Sequence, residues 1–379
     1  MRVLVTGGAG FIGSHLVDAL VERGHQVVVL DNLDPQVHGR ASVAPRHLEA
    51  HLARGTVEFH RGDVTDSSAV RSACRGADAV VHLAAVVGVG QSMYEPRYYV
   101  HNNDLGTGVL LQEAVANRAH IRRLVVASSM SLYGEGAYLC PRCQGTTGLP
   151  RSEERLLASR FEVACATCGW DMEPVPTPES KAPDLRSIYA ATKKHQEDLF
   201  VTFGRAYRVT TFALRFFNVY GPRQSLGNPY TGVAAIFLSR LLNGNPPLIF
   251  EDGQQCRDFI DVRDIAYALL LAVEQEHEPG ATHVLNVGTG QGVRVGEVAE
   301  TLARALGVDI APNLLQRHRV GDIRHCIGDS TLMERVLGFR ARRTFETSAA
   351  ELIAWCRAEP ANDLVESSLE ELQRQGLVR

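Results

Sequence analysis

Short apolar runs and longer amphipathic stretches alternate through the first half of the chain. The first run, "VLV" after Arg2, is β-branched and brief, as suits a strand buried on both faces. From Phe11 to Glu22 the apolar positions Ile12, Leu16, Ala19 and Leu20 recur at helical spacing, and "QVVVL" then forms a second continuous run ending at Asp31. The alternation continues. "VEFHRGDVTD" predicts a strand closing at Asp63 and Val64, "DAVVHLAA" one closing at His82 to Ala85, and "RRLVVASS" one closing at Ser128 and Ser129, each followed by a helical pattern. Strands and helices in turn imply an α/β fold with a parallel, doubly wound sheet, and ligands at the carboxyl ends of its strands.

After about residue 222 the pattern loosens. "GNPYTGVAAIFLSRLLNG" reads as a loop entering a helix, "PLIFEDGQQCRDFI" as a small hairpin, and "RVGEVAETLARALG" and "TSAAELIAWCRAE" as amphipathic helices. This predicts a smaller lobe closing a cleft against the first. The tail from Glu359 carries "LVESSLEELQRQGLV" at helical spacing and reads as a surface or packing helix.

The turn after the first strand carries the first chemistry. Gly7 permits a tight strand-to-helix turn, Gly10 lets the backbone approach a pyrophosphate at the helix N-terminus, and Gly13 lets the helix pack close to the sheet. Asp31 can accept bonds from the ribose hydroxyls of an adenosine and would repel a 2′-phosphate, which favours NAD over NADP. Strand, glycines, helix, strand and acid in this order are far more specific than glycines alone.

A second constellation begins at "YAATKKHQEDLF". Tyr189 and Lys193 are four positions apart and share one face of a helix. A tyrosine with a reference pKa of about 10 is a poor base near neutrality. A neighbouring ammonium and the positive nicotinamide ring both favour its phenolate. Such a residue can take a proton from a sugar hydroxyl as hydride leaves the same carbon.

Composition narrows the partners. The chain has 379 residues, 45% of them hydrophobic, enough for a substantial core and two lobes. A formal net charge of −4 with mixed signs argues against nucleic acid as a partner. No apolar run reaches the roughly 18 residues a membrane span needs. "MRVLVTGGAGFIG" reads directly as a first strand, without a charged leader, so a cytoplasmic protein is expected. Of eight cysteines, Cys74, Cys256, Cys326 and Cys356 are scattered, whereas Cys140, Cys143, Cys165 and Cys168 form two C-x-x-C pairs.

Motifs along nearly the whole chain resemble the extended short-chain dehydrogenase/reductases of the sugar-nucleotide epimerase and dehydratase group. They are "GGAGFIG", "GDV", "HLAA", "NNDLGT", "SSMSLYG", "YAATK", "LRFFNVYGPRQ", "RDFIDVRD", "NVGTG" and "RVGDIRH", in the family's order. The resemblance implies a Rossmann-type sheet with a smaller α/β substrate lobe and a homodimer formed through the Tyr-Lys helix and the one near 100–117. It implies Ser129, Tyr189 and Lys193 as the catalytic set. Gly7, Gly10, Phe11, Ile12, Gly13, Asp31, Asn32, Asp63, Val64, Leu83, Ala84, Ala85 and Asn103 would form the NAD site together with Tyr189 and Lys193. Ser129, Ser131, Asn218, Arg257 and Arg324 would meet a nucleotide-diphosphate sugar. The predicted organisation is a cofactor domain from 1–137 and 171–222 with about 258–289, an insert at 138–170, and a sugar-nucleotide lobe from 223–257 and 290–379.

The group shares oxidation at sugar C4 and then diverges. Dehydratases of the group place "TDEVYG" where this chain has "SMSLYG", so their acid and base positions hold Met130 and Ser131. A thioether cannot donate a proton and a serine is a weak base, which counts against a 4,6-dehydratase. Ser131 also stands where related decarboxylases carry a glutamate. The simplest remaining cycle is 4-epimerisation, in which NAD is regenerated at each turnover and can stay tightly bound. A ketoreductase or dehydrogenase, and a non-catalytic dinucleotide sensor, are the alternatives. "LDNLDPQVHG" and the cysteine-bearing segment resemble a bacterial branch of 4-epimerases acting on dTDP-L-rhamnose or UDP-hexoses. Neither these nor a UDP-hexuronate is selected by the motifs.

Ser129 and Tyr189 are about sixty residues apart, far more than in the epimerases this chain resembles. A long unstructured loop beside an active site would be costly to order. Two C-x-x-C pairs clamping a tetrahedral zinc would fold it locally as a zinc-ribbon-like flap, with Pro141 and Gly169 suited to the turns. Four thiolates leave no open coordination position, so the zinc would be structural. A redox pair would need a strand-to-helix setting that neither motif has. The flap's position between two catalytic residues also raises the expectation that it touches substrate.

Overall fold

A computed structural model describes residues 1–39, 44–359 and 361–379. Seven parallel strands form the main sheet in the order Thr282–Val287, Thr210–Phe216, Arg123–Ser129, Ala79–His82, Arg2–Thr6, Gln26–Asp31, Val57–Arg61. The chain reverses direction across the sheet between Arg2–Thr6 and Ala79–His82, and the carboxyl ends of those two strands open the crevice where such folds bind ligands. The central strands are buried along nearly their whole length, which is why they read as continuous apolar runs. Helices Phe11–Glu22 and Val262–Glu274 cover one face, and Ser67–Cys74, Gly106–Ala116 and Ile188–Tyr207 the other. The predicted doubly wound sheet is therefore the observed one.

A smaller sheet faces this crevice. Cys256–Asp261 runs parallel to Asn218–Tyr220 and His325–Cys326 and antiparallel to Gly292–Arg294. Asn218–Tyr220 and its partner residues Phe259–Asp261 were both expected in the cofactor domain, and they join this smaller sheet together. The expected hairpin at 247–260 does not form. Leu248–Ile249 pairs instead with Asn313–Leu314, and Cys256–Asp261 enters the other sheet. Helices Val233–Leu242, Val295–Leu306 and Phe345–Cys356 supply the apolar core beneath.

The insert is a small ribbon. Ala137–Leu139 pairs antiparallel with Glu173–Val175, so the ribbon closes past the expected limit at 170. Its main apolar cluster is Tyr138, Val163 and Met172 with Cys140 and Cys165, and Phe161 and Ala164 are buried beside it in the chain. Among the described residues, no helix is long and apolar enough to cross a membrane.

Candidate active site

One cavity of about 650 Å³ runs along the crevice between the two sheets. At one end the backbone turns at Gly7, whose φ is +70° and where a Cβ would lie 2.7 Å from the Ala84 nitrogen. A Cβ on Gly13 would lie 2.2 Å from the Gly7 carbonyl oxygen, so the helix reaches the turn only because that side chain is absent. Gly10 caps helix Phe11–Glu22 with no side-chain acceptor and no acid in the first turn. Its amides are left to an anion from the cavity, as a dinucleotide pyrophosphate requires. Asp31 lies at the same end. One carboxylate oxygen accepts from the Ala9 amide at 3.0 Å and the other from the Leu33 amide at 2.9 Å, and each retains a lone pair. Phe11, Ile12, Asn32, Val64, Leu83, Ala84 and Ala85 also line the cavity, and the residues present fit NAD.

Two of the expected cofactor residues stand behind the wall. The Asp63 carboxylate turns onto Thr65 at 2.7 Å and Asn32 at 2.9 Å, leaving Gly62 and Val64 to face the cavity. Asn103 is fully buried. Its amide donates to the Val86 carbonyl at 3.1 Å and the Thr192 hydroxyl at 3.0 Å, and its oxygen accepts from the Val86 amide at 2.8 Å. This corrects the expectation of a cofactor contact: Asn103 fixes the loop after Leu83–Ala85, is fully buried and does not line the cavity.

Ser129, Tyr189 and Lys193 meet at the middle of the cavity. Ser129 ends a sheet strand, and its Oγ accepts from the Ser131 amide at 3.1 Å. Ser187 caps helix Ile188–Tyr207 by accepting from the Ala190 amide at 3.1 Å, which places Tyr189 in the first turn. Lys193 Nζ donates to the Ala127 carbonyl and to Gln196 Oε1, both at 2.9 Å. Burial pushes the Tyr189 phenol up, against a hydrogen bond with Ser129, and pulls the Lys193 ammonium down to about 7. The expected lowering of the phenol by Lys193 is not among the causes of its shift; burial dominates at both groups, because desolvation disfavours both charged forms. Met130 and Ser131 border the same space. Ser131 Oγ and Asn218 Oδ1 are buried without a hydrogen-bond partner among the described residues. Such atoms are costly unless a ligand answers them.

The far end is cationic. Arg257 and Arg319 line the cavity on either side of Asp322. The Asp322 carboxylate lies 2.9 Å from Arg319 and 3.6 Å from Arg257. Burial alone would raise its pKa, but Arg319 and Arg257 hold it at about 2. Arg324, expected at the nucleotide, is instead buried away from the cavity. It bonds Glu162 at 2.8 Å, Glu251 at 2.9 Å and Asp252 at 2.6 Å. Arg319 stands where Arg324 was expected, and "RVGDIRH" contains both. The tail helix Val365–Arg374 was also underestimated: Leu369, Leu372 and the following Leu377 line the cavity. Between residues 138 and 170 no side chain does, so the flap borders the crevice without lining this cavity.

The four cysteine sulfurs lie within 4.8 Å of one another, with Cys140–Cys168 and Cys143–Cys165 at 3.5 Å. A tetrahedral zinc with Zn–S bonds of about 2.3 Å needs such a cluster, and the residues fit it. Amides of Arg142 and Cys143 donate to Cys140, and those of Thr167 and Cys168 to Cys165, as two knuckles that stabilise thiolates.

A model of the NAD dependent epimerase/dehydratase family matches residues 3–153 and 162–288. The chain belongs to that family. The gap between the two matched segments, 154–161, falls inside the four-cysteine insert, and residues 289–379 lie beyond the match. Among curated relatives, a dTDP-L-rhamnose 4-epimerase of Burkholderia thailandensis is 33% identical over 365 residues, covering 94% of this chain and 95% of the relative. A Thermotoga maritima UDP-glucose 4-epimerase solved with UDP-glucose is 30% identical with a TM-score of 0.75, covering 94% of this chain and 99% of that one. A Thermus thermophilus UDP-glucose 4-epimerase solved with NAD is also 30% identical, with a TM-score of 0.72 over 95% of this chain and all (100%) of that one.

Proposed function

We propose that this protein is an NAD-dependent nucleotide-sugar 4-epimerase, an isomerase acting on dTDP-L-rhamnose or a UDP-hexose or UDP-hexuronate. The observation that carries this reading is the order along one cavity: an uncapped glycine-turn helix, then Ser129, Tyr189 and Lys193, then Arg257 and Arg319. NAD held at the glycine turn would supply a reversible hydride acceptor for sugar C4. Lys193 holds the nicotinamide ribose. Ser129 donates to the C4 oxygen, and Tyr189 takes its proton. A 4-keto sugar free to turn over in the cavity would take hydride back on its opposite face, with Tyr189 returning the proton to its oxygen. Asn218 and Ser131 present their unpartnered oxygens to the sugar nucleotide, and the two arginines take its diphosphate. Met130 leaves no acid for water elimination.

The deciding experiment is NMR of purified protein with dTDP-L-rhamnose, UDP-glucose and UDP-glucuronate, separately and without added cofactor. A 4-epimer from one of them is expected. Turnover only after supplying NADH and a 4-keto sugar would replace this reading with a ketoreductase. Asp31 sets the cofactor. Asp31→Ser should weaken NAD and relax its preference over NADP, because the repulsive carboxylate is removed; an unchanged ratio of NAD to NADP affinity in fluorescence titration would refute that role.

We further infer a structural zinc at the four cysteines, a cytoplasmic location, and a homodimer through the Tyr-Lys helix and the one near 100–117, where Val100 and Leu105 are exposed apolar side chains. A monomer in sedimentation equilibrium would remove the dimer.

A further inference from the structure

The insert contributes no side chain to the cavity, yet it grips the strip of backbone that does. Segment 319–323 forms the cationic wall. Arg257 is aimed by that strip: its guanidinium donates to the Ile323 carbonyl at 2.6 Å and the Arg324 carbonyl at 2.8 Å. Arg151, from the insert, donates to the Asp322 carbonyl at 2.8 Å. The same guanidinium pairs with Glu251 at 2.6 Å and Glu135 at 3.0 Å, and its side chain is only 6% exposed. Glu162, also from the insert, holds Arg324 and bonds His325 Nε2 at 2.8 Å. Both residues are presented by the cysteine ribbon: Leu149 bonds Ala164 across it at 2.7 Å, two positions from Arg151 and from Glu162. Opposing charges in a buried network have few alternative arrangements, so a shift at one member moves the rest.

We propose that the four-cysteine insert is a positioning device for diphosphate recognition, with Arg151 as the residue that sets the backbone carrying Arg257 and Arg319. It rests on the nucleotide-sugar reading above. Titration calorimetry of the holoprotein with UDP and with dTDP, beside steady-state kinetics on the sugar that the NMR assay identifies, tests it. Arg151→Met should weaken nucleoside diphosphate binding and raise KM by roughly tenfold, the scale of coupling through a packed network. Saturating kcat, bound NAD and zinc content should stay near wild type. Arg151→Lys keeps the charge but cannot reach Glu135, Glu251 and the Asp322 carbonyl together, so it should give a smaller shift of the same sign and serves if the first variant does not fold. Unchanged diphosphate affinity and KM in the lysine variant would overturn the proposal while leaving the enzyme's function intact. A wild-type protein that binds neither UDP nor dTDP would instead bring down the nucleotide-sugar reading itself.

Discussion

Tyr189→Phe should lower kcat by about 10³-fold, the usual range for loss of a positioned acid–base group. The ring remains to pack edge-on against Tyr99, with centroids 6.4 Å apart, so fold and bound NAD should be retained. The loss should fall on kcat, because the phenol's proton transfer belongs to the transition state and not to ground-state binding. The sign of the pH dependence follows from burial. The phenol is pushed up and must lose its proton to act as base, so on the acid side the wild-type rate should climb with pH, and the variant's residual rate should not. NMR turnover at several pH values, with dinucleotide quantified after denaturation, checks both. A kcat within tenfold of wild type would remove Tyr189 from the proton-transfer role.

The second large effect concerns the cysteines. Cys140→Ser with Cys165→Ser should take zinc from one per chain to none and lower Tm markedly. The insert's own apolar core is too small to hold it folded, whereas structural zinc contributes about 10–16 kcal/mol in small zinc modules. Its loss would also strip Glu251 and Arg324 of insert partners at positions only 2% and 1% exposed. Breaking one side of a buried pair costs about 3–5 kcal/mol. The chemistry at Ser129 and Tyr189 should survive at saturating substrate, while KM rises. Metal analysis, thermal melts and kinetics on the same preparations read all three quantities. A wild-type protein without zinc, or a double variant with wild-type Tm and KM, would contradict this account.

Much of this was legible in the sequence because the relevant physics is local. The turn at Gly7, Gly10 and Gly13 and the buried runs that alternate with helices depend on neighbours within a few residues. The Tyr189 and Lys193 pair needs only a helix. What was not legible depends on which way a side chain turns in a loop. Arg319 and Arg324 lie in one short motif, and only tertiary packing sends the first to the cavity and the second into the charge network. Asn103 carries a family motif position but spends its amide on the loop it supports. The amphipathic pattern of the tail helix was visible, yet an apolar stripe does not say what it covers, and here it covers the cavity mouth. The ribbon's true end lies past its last cysteine, because Glu173–Val175 completes a two-stranded pairing whose first strand precedes the first cysteine.

The stitching of the tail has a consequence for biosynthesis. His318 and Arg379 exchange backbone bonds at 2.9 and 3.0 Å, and the Val320 amide bonds the Leu377 carbonyl at 2.9 Å, so residues 377–379 form the outer edge of the wall that carries Arg319. On the ribosome the glycine turn and its neighbouring strands emerge well before residues 377–379 and can close around a dinucleotide while translation continues. The wall that carries Arg319 cannot be finished until residues 377–379 have left the exit tunnel. A nascent chain can therefore acquire its redox partner well before it is able to retain a sugar nucleotide, and the two binding events are separated in time by the order in which the chain is made.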